Sequence, residues 1–161
     1  MVTCCSIGVS DWINVGSIVI NIILTCWIVI TIQNKFTNKR VLKDHFICEV
    51  KEIRIEYKSF LSGLYANKTA PNTIIPWFKL MNIKVNDLMS LLNQTYQIEK
   101  DILLPYQNDL RELITENDDF IKYFKSDKIV FSETSRRKII QFQQKHNHLF
   151  NEIIISINNK D

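Results

Sequence analysis

The sequence predicts an all-α chain: one N-terminal transmembrane helix followed by a cytoplasmic bundle of roughly four to five amphipathic helices. Three observations point there. The run from Trp12 to Ile32 has no charged residue and is dominated by Ile, Val and Leu. Downstream of it, apolar residues recur at steps of three and four, the period of a helix and not of a strand. Only three Gly and three Pro occur in 161 residues, which is the punctuation of long helices.

The N-terminal segment comes first. All 20 Lys and Arg lie at or beyond Lys35, as do the acids except Asp11, so the chain divides into an uncharged segment and a mixed-charge one. Roughly 20 apolar residues match a hydrocarbon layer ~30 Å thick. A cleaved signal peptide would need a basic leader and small residues at a cleavage site. Met1 to Ser10 has no Lys or Arg, and Thr31-Ile32-Gln33-Asn34 has no small-residue pattern, so the segment is expected to stay in the membrane. Lys35, Lys39, Arg40 and Lys43 crowd its C-terminal side, which by the positive-inside rule sets the N-terminus outside. The expected organisation is an extracytoplasmic 1–11, a transmembrane helix 12–32 and a cytoplasmic helical domain 33–161, in the inner (cytoplasmic) membrane. The four basic side chains serve as the topology signal and can also meet anionic lipid headgroups. Cys4 and Cys5 fall on the oxidising side of this arrangement, where they are able to link subunits, although free thiols are the default.

The helices of the second segment follow in order. Leu42, Phe46, Val50, Ile53, Tyr57, Phe60 and Leu64 form one apolar stripe. Nothing between Gln33 and Asn38 interrupts it from the membrane span, and the stretch Asn67 to Asn72 ends it. A second helical region covers about Ile75 to Leu103, with Trp77, Met81, Leu88, Leu91, Thr95, Ile98 and Ile102 on one side and Asn86 as an internal restart. Pro105 opens a shorter helix through Ile114. Asn117 and Asp118 cap another to Phe124, and Ser132 begins a last helix with Ile139, Phe142, His146, Leu149, Ile153 and Ile157 along one stripe.

Motifs for chemistry are sparse. There is no Gly-rich phosphate loop, C-x-x-C pair or nucleophile elbow. Positive charge is slight and well mixed with negative, unlike the clustered stripe of a nucleic-acid binder, and no direct nucleic-acid contact is expected. Asp118-Asp119 suits a helix start, where negative charge is favoured. His146-x-His148 with Glu152 has a fragment of metal-ligand spacing but no further ligands nearby, so neither a metal nor another cofactor is expected. Arg40 and His45 have the R-x4-H spacing of a ribonuclease motif, but Val41 follows the arginine and the motif lies beside the membrane. Arg137 and His146 fall on opposite helix faces. No enzymatic activity is expected.

The informative pattern is inside the span. Ser10, Asn14, Ser17, Asn21 and Thr25 step by four, three, four and four, which sets them on one helix face. A carboxamide facing lipid is costly, so two Asn on one face call for other helices or water. With one span per chain those helices come from other copies. Ile28 and Ile32 continue the face towards the cytoplasm, giving a lining that is polar in its outer half and apolar at its inner mouth, the profile of a hydrophobic gate.

The layout of the chain resembles the small membrane accessory protein of type VI-B CRISPR systems, encoded beside an RNA-guided, RNA-cleaving effector. The resemblance lies in the single N-terminal span, the all-helical cytoplasmic domain of HEPN-like type, and a divergent arginine–histidine motif for which Arg40 and His45 are the candidates. It implies a ring-shaped homo-oligomer that strengthens antiviral defence by permeabilising the host membrane, linked functionally to the effector or its products. The misplaced motif argues against a nuclease role. Two other readings fit the same organisation: a membrane-anchored helical adaptor or sensor for a cytosolic partner, and a membrane-tethered HEPN-like ribonuclease.

Overall fold

A computed structural model gives the fold and describes residues 9–160, the side chains of residues 9–11, 13, 15 and 34 excepted. Among the described residues the regular structure is helical throughout, in the order α1 (Val9–Tyr65), α2 (Pro71–Tyr96), α3 (Leu104–Thr115), α4 (Asp118–Tyr123), α5 (Glu133–His146) and α6 (His148–Asn159). The chain divides into two compact units, Met1–Leu42 and Lys43–Asp161.

α1 runs without interruption because no proline lies within it, and its two glycines, Gly16 and Gly63, are tolerated singly in a helix. The first unit holds its apolar part. Every described side chain from Ser17 to Gln33 is exposed, and none of the most apolar window is buried. This stretch is long and apolar enough to cross a membrane.

The second unit has its own core. From α1, Phe46, Val50, Ile53, Tyr57, Phe60 and Leu64 are buried, the expected stripe with its first member removed. Leu42 is instead exposed and falls in the first unit. Around this stripe pack Ile74, Met81, Val85 and Leu92 of α2, Leu110 and Ile114 of α3, Phe142 of α5, and Phe150, Ile153 and Ile157 of α6. An aromatic cluster occupies the middle. The rings of Tyr57 and Tyr106 meet edge-on at 4.8 Å, Tyr106 meets Phe150 at 5.1 Å, and Phe60 stacks on Trp77 at 3.7 Å. The two edge-on contacts have the geometry that ring quadrupoles favour, whereas Phe60 and Trp77 lie nearly face to face.

Local chemistry explains the helix ends. Asn67 takes a left-handed conformation after α1, and the Lys68 amide donates back to the Gly63 carbonyl. A Cβ on Gly63 would lie 2.9 Å from Thr69 Oγ1, so a larger residue there would oblige the Thr69 side chain to turn aside. Pro71 begins α2, which needs no amide donor there. Asn117 caps α4 by accepting from the Asp119 amide, and Ser132 caps α5 by accepting from Ser135, both as the sequence suggests.

Three expectations need correction. α2 passes through Asn86 without restarting and stops at Tyr96, well short of Leu103, because Gln97 adopts a left-handed conformation and donates to the Asn93 carbonyl. Leu91 and Thr95 are exposed, the buried side of that turn being carried by Leu88, Met89 and Leu92. The last helix is two, parted at Asn147. There Arg54 of α1 donates to Asn147 Oδ1 from Nε (3.2 Å) and Nη2 (2.7 Å), and to Asn151 Oδ1 from Nη1 (3.0 Å). The apolar stripe continues across the break through Phe150 and Ile153, so periodicity alone does not reveal it.

Candidate functional site: the exposed face of the first unit

Asn14, Ser17, Asn21, Thr25, Ile28 and Ile32 share one face of a continuous helix, since α1 keeps a single register from Val9 onward. All six are exposed. Ser10, the remaining member of the expected lining, belongs to the same helix, but its side chain lies outside the described residues, as do Cys4 and Cys5. Within the face the polar groups are not equivalent. The Thr25 hydroxyl donates to the Asn21 carbonyl one turn earlier at 2.7 Å, and off the face Thr31 does the same to Trp27. Such hydroxyls are satisfied by their own helix. The carboxamides of Asn14 and Asn21 have no side-chain hydrogen bond to other described residues, and a carboxamide has four bonding sites to fill. Asn14 and Asn21 therefore carry the demand for an outside partner.

The face has apolar surroundings. Ile18, Ile20, Ile22, Ile23, Val29 and Ile30 present large side chains outward, each about half exposed or more. A water-facing monomer does not carry so large a contiguous apolar patch.

The basic flank splits. Lys35, Lys39 and Arg40 are exposed. Lys43 is half-buried in the second unit, where its ammonium donates to the backbone carbonyls of Asn158 (3.4 Å) and Lys160. Asn158 lies in the last turn of α6 and Lys160 is its C-cap, and a cation there complements the helix dipole.

Arg40 and His45 are five positions apart on α1, which turns them about 140° from each other. His45 is exposed beside the Phe46 ring. Arg137 is exposed, whereas His146 is buried against Tyr106 and Phe142 with Nε2 3.1 Å from Asp109 Oδ2. Burial pushes the His146 imidazole below its usual range, aided by the nearby Lys145 charge and opposed by Asp109. His148 and Glu152 form an exposed pair one turn apart at 4.0 Å. Asp119 is held below the usual carboxylate range by the hydrogen bond from the Ser135 hydroxyl (2.6 Å) and by the Ser132 amide (2.9 Å), the work of a structural cap. Among the described residues no group of three His, Cys, Asp or Glu side chains gathers.

Compared with protein-family models, curated proteins and solved structures, the chain matches none. The functional reading therefore rests on the residues themselves. One feature of the second unit escaped sequence reasoning: a cleft that joins Tyr57 of α1 to Lys79 of α2 and Arg111 of α3, residues too far apart in sequence to suggest each other.

Proposed function

We propose that the chain is the subunit of a non-enzymatic, oligomeric membrane pore. In this reading residues 12–32 of α1 cross the inner membrane with the N-terminus outside and the second unit in the cytoplasm. Copies of the helix turn Asn14, Ser17 and Asn21 towards a shared axis. Ile28 and Ile32 narrow the inner mouth, and conduction begins when that apolar constriction wets. Permeabilisation of the host membrane would serve antiviral defence alongside an RNA-guided, RNA-cleaving effector, the role implied by the resemblance of the layout to the type VI-B accessory protein. The domain's HEPN-like character belongs to the same proposal.

The observation that carries the reading is the pair of exposed carboxamides, Asn14 and Asn21, on one face of the stretch 12–32 of α1, whose other described side chains are uncharged and mostly apolar. Each interhelical bond they form contributes about 0.6–2 kcal/mol, and a ring repeats the contribution at every subunit. Native mass measurement of the full chain in a mild non-ionic detergent tests assembly. A single oligomeric species is expected for the wild type, weakened to smaller species in Asn14→Leu/Asn21→Leu. A wild-type chain that is monomeric in several detergents and in lipid nanodiscs overturns the proposal.

A further inference from the structure

The second unit carries a cleft of about 390 Å³ bounded by α1, α2 and α3. That volume lies within the range of small-molecule sites. Its lining divides chemically. Tyr57, Ile75 and Phe78 supply an apolar, partly aromatic wall, and Lys79 and Arg111 supply two cations. No Asp or Glu lines it, and neither cation is held by a carboxylate among the described residues. Lys84 pairs with Glu56 and Lys145 with Asp109, whereas most other lysines and arginines of the unit share with Lys79 and Arg111 the lack of a carboxylate ion pair among the described residues.

The wall contains an unspent donor. Tyr57 is 2% exposed, and its hydroxyl oxygen accepts from Gln107 Nε2 at 3.4 Å, but its own proton is given to no acceptor among the described residues. Burial pushes this phenol up to about 12, so it stays protonated throughout the physiological range and offers a hydrogen, not a charge. Buried hydroxyl donors are ordinarily matched to acceptors. Two cations and a buried O–H together are donor-only chemistry, and what satisfies them is an anion rich in acceptor oxygens. Ile75 and Phe78 beside them favour a planar apolar group on the same molecule.

From this juxtaposition we propose that the cleft of Tyr57, Lys79 and Arg111 binds a nucleoside monophosphate, its phosphate on the two cations and its base against Phe78 and Ile75. The carboxamides of Asn82 and Asn108 border the same cleft and present both a donor and an acceptor, as the edge of a base requires. The site belongs entirely to the second unit and is independent of the pore reading, but it provides that unit with a small-molecule input.

The probe is adenosine 5′-monophosphate, titrated by calorimetry into the full chain in non-ionic detergent, with adenosine and inorganic phosphate as separate arms. Saturable binding with Kd of about 1 mM or tighter is expected, with adenosine and phosphate each weaker by about tenfold or more. Lys79→Gln and Arg111→Gln, both at exposed positions, should each lose about tenfold, and Tyr57→Phe several-fold, with thermal melting unchanged in the two Gln variants. Phosphate binding as tightly as the nucleotide would show the apolar wall unused, and adenosine binding as tightly would show the cations unused. Either result overturns the assignment, as does nucleotide binding weaker than about 1 mM or unaffected by both Gln variants.

Discussion

Two stretches of the one helix α1 make the most useful comparison in the molecule. From Ser17 to Gln33 every side chain is exposed, with Ile23 at 62%, although most are apolar and none is charged. From Phe46 to Leu64 the apolar residues Val50, Ile53 and Leu64 are fully buried, while Lys51, Glu52 and Lys58 face out. The second stretch has a sided pattern, so the chain covers its apolar face itself and leaves the charged face to water. The first has no charged side chain and is apolar over most of its circumference, and no described residue buries it. In the proposed pore its cover is a membrane, and on the one polar face other copies of itself. A difference in pattern, together with the absence of charge from the first stretch, separates a helix that completes a core from one whose apolar surface is left uncovered.

The largest expected effect lies in the second stretch. Ile53→Asp buries a carboxylate where no partner exists and should cost about 3–5 kcal/mol, read by chemical denaturation of the full chain in detergent. Ile55→Asp, two positions on and 63% exposed, should change stability by less than about 0.5 kcal/mol. Equal losses from the two would mean that α1 does not present the sided stripe described above.

A smaller effect comes from acid. His146 has its folded-state pKa below the ordinary value near 6.5, so the unfolded chain takes up the proton more readily than the folded one. Stability is therefore full above about pH 6.5 and falls as the pH drops through that value towards the folded pKa. The fall should be lost in His146→Gln, measured as melting temperature against pH between about 7 and 5. The apolar stretch of the first unit has no charged side chain and contributes nothing to this dependence. A melting temperature that rises with acid would contradict the account of His146 as a buried, neutral side chain.

Much of this was legible in the sequence because it depends on local chemistry. The exposed apolar run, the α1 stripe from Phe46 to Leu64, Pro105 at the start of α3, and the caps Asn117 and Ser132 are all set by residues within a turn or two of one another. What was not legible is set by distant partners or by backbone choices that many residues can make. Gln97 ends α2 in a left-handed conformation that Gln does not advertise. The break at Asn147 is marked by the Arg54 clamp, whose members are about ninety positions apart. Lys43 reads as part of a basic flank but reaches the end of α6. The polar face of the apolar stretch was legible as a pattern, and the structure refined it by showing that the Thr25 hydroxyl is spent on its own helix while the carboxamides of Asn14 and Asn21 have no hydrogen bond among the described residues.

The central claim is that the polar face of the first unit lines a conducting path. Single-channel recording or dye release from liposomes containing the purified full chain tests it with three variants. Asn21→Leu should insert normally but reduce permeation, because it makes the middle of the path apolar. Ile28→Ser should extend the polar lining inward, lower the wetting barrier and increase leak. Ile23→Ser, on the opposite face, should change little. Asn21→Leu and Ile28→Ser both behaving like the wild type, at equal protein incorporation, would contradict the account.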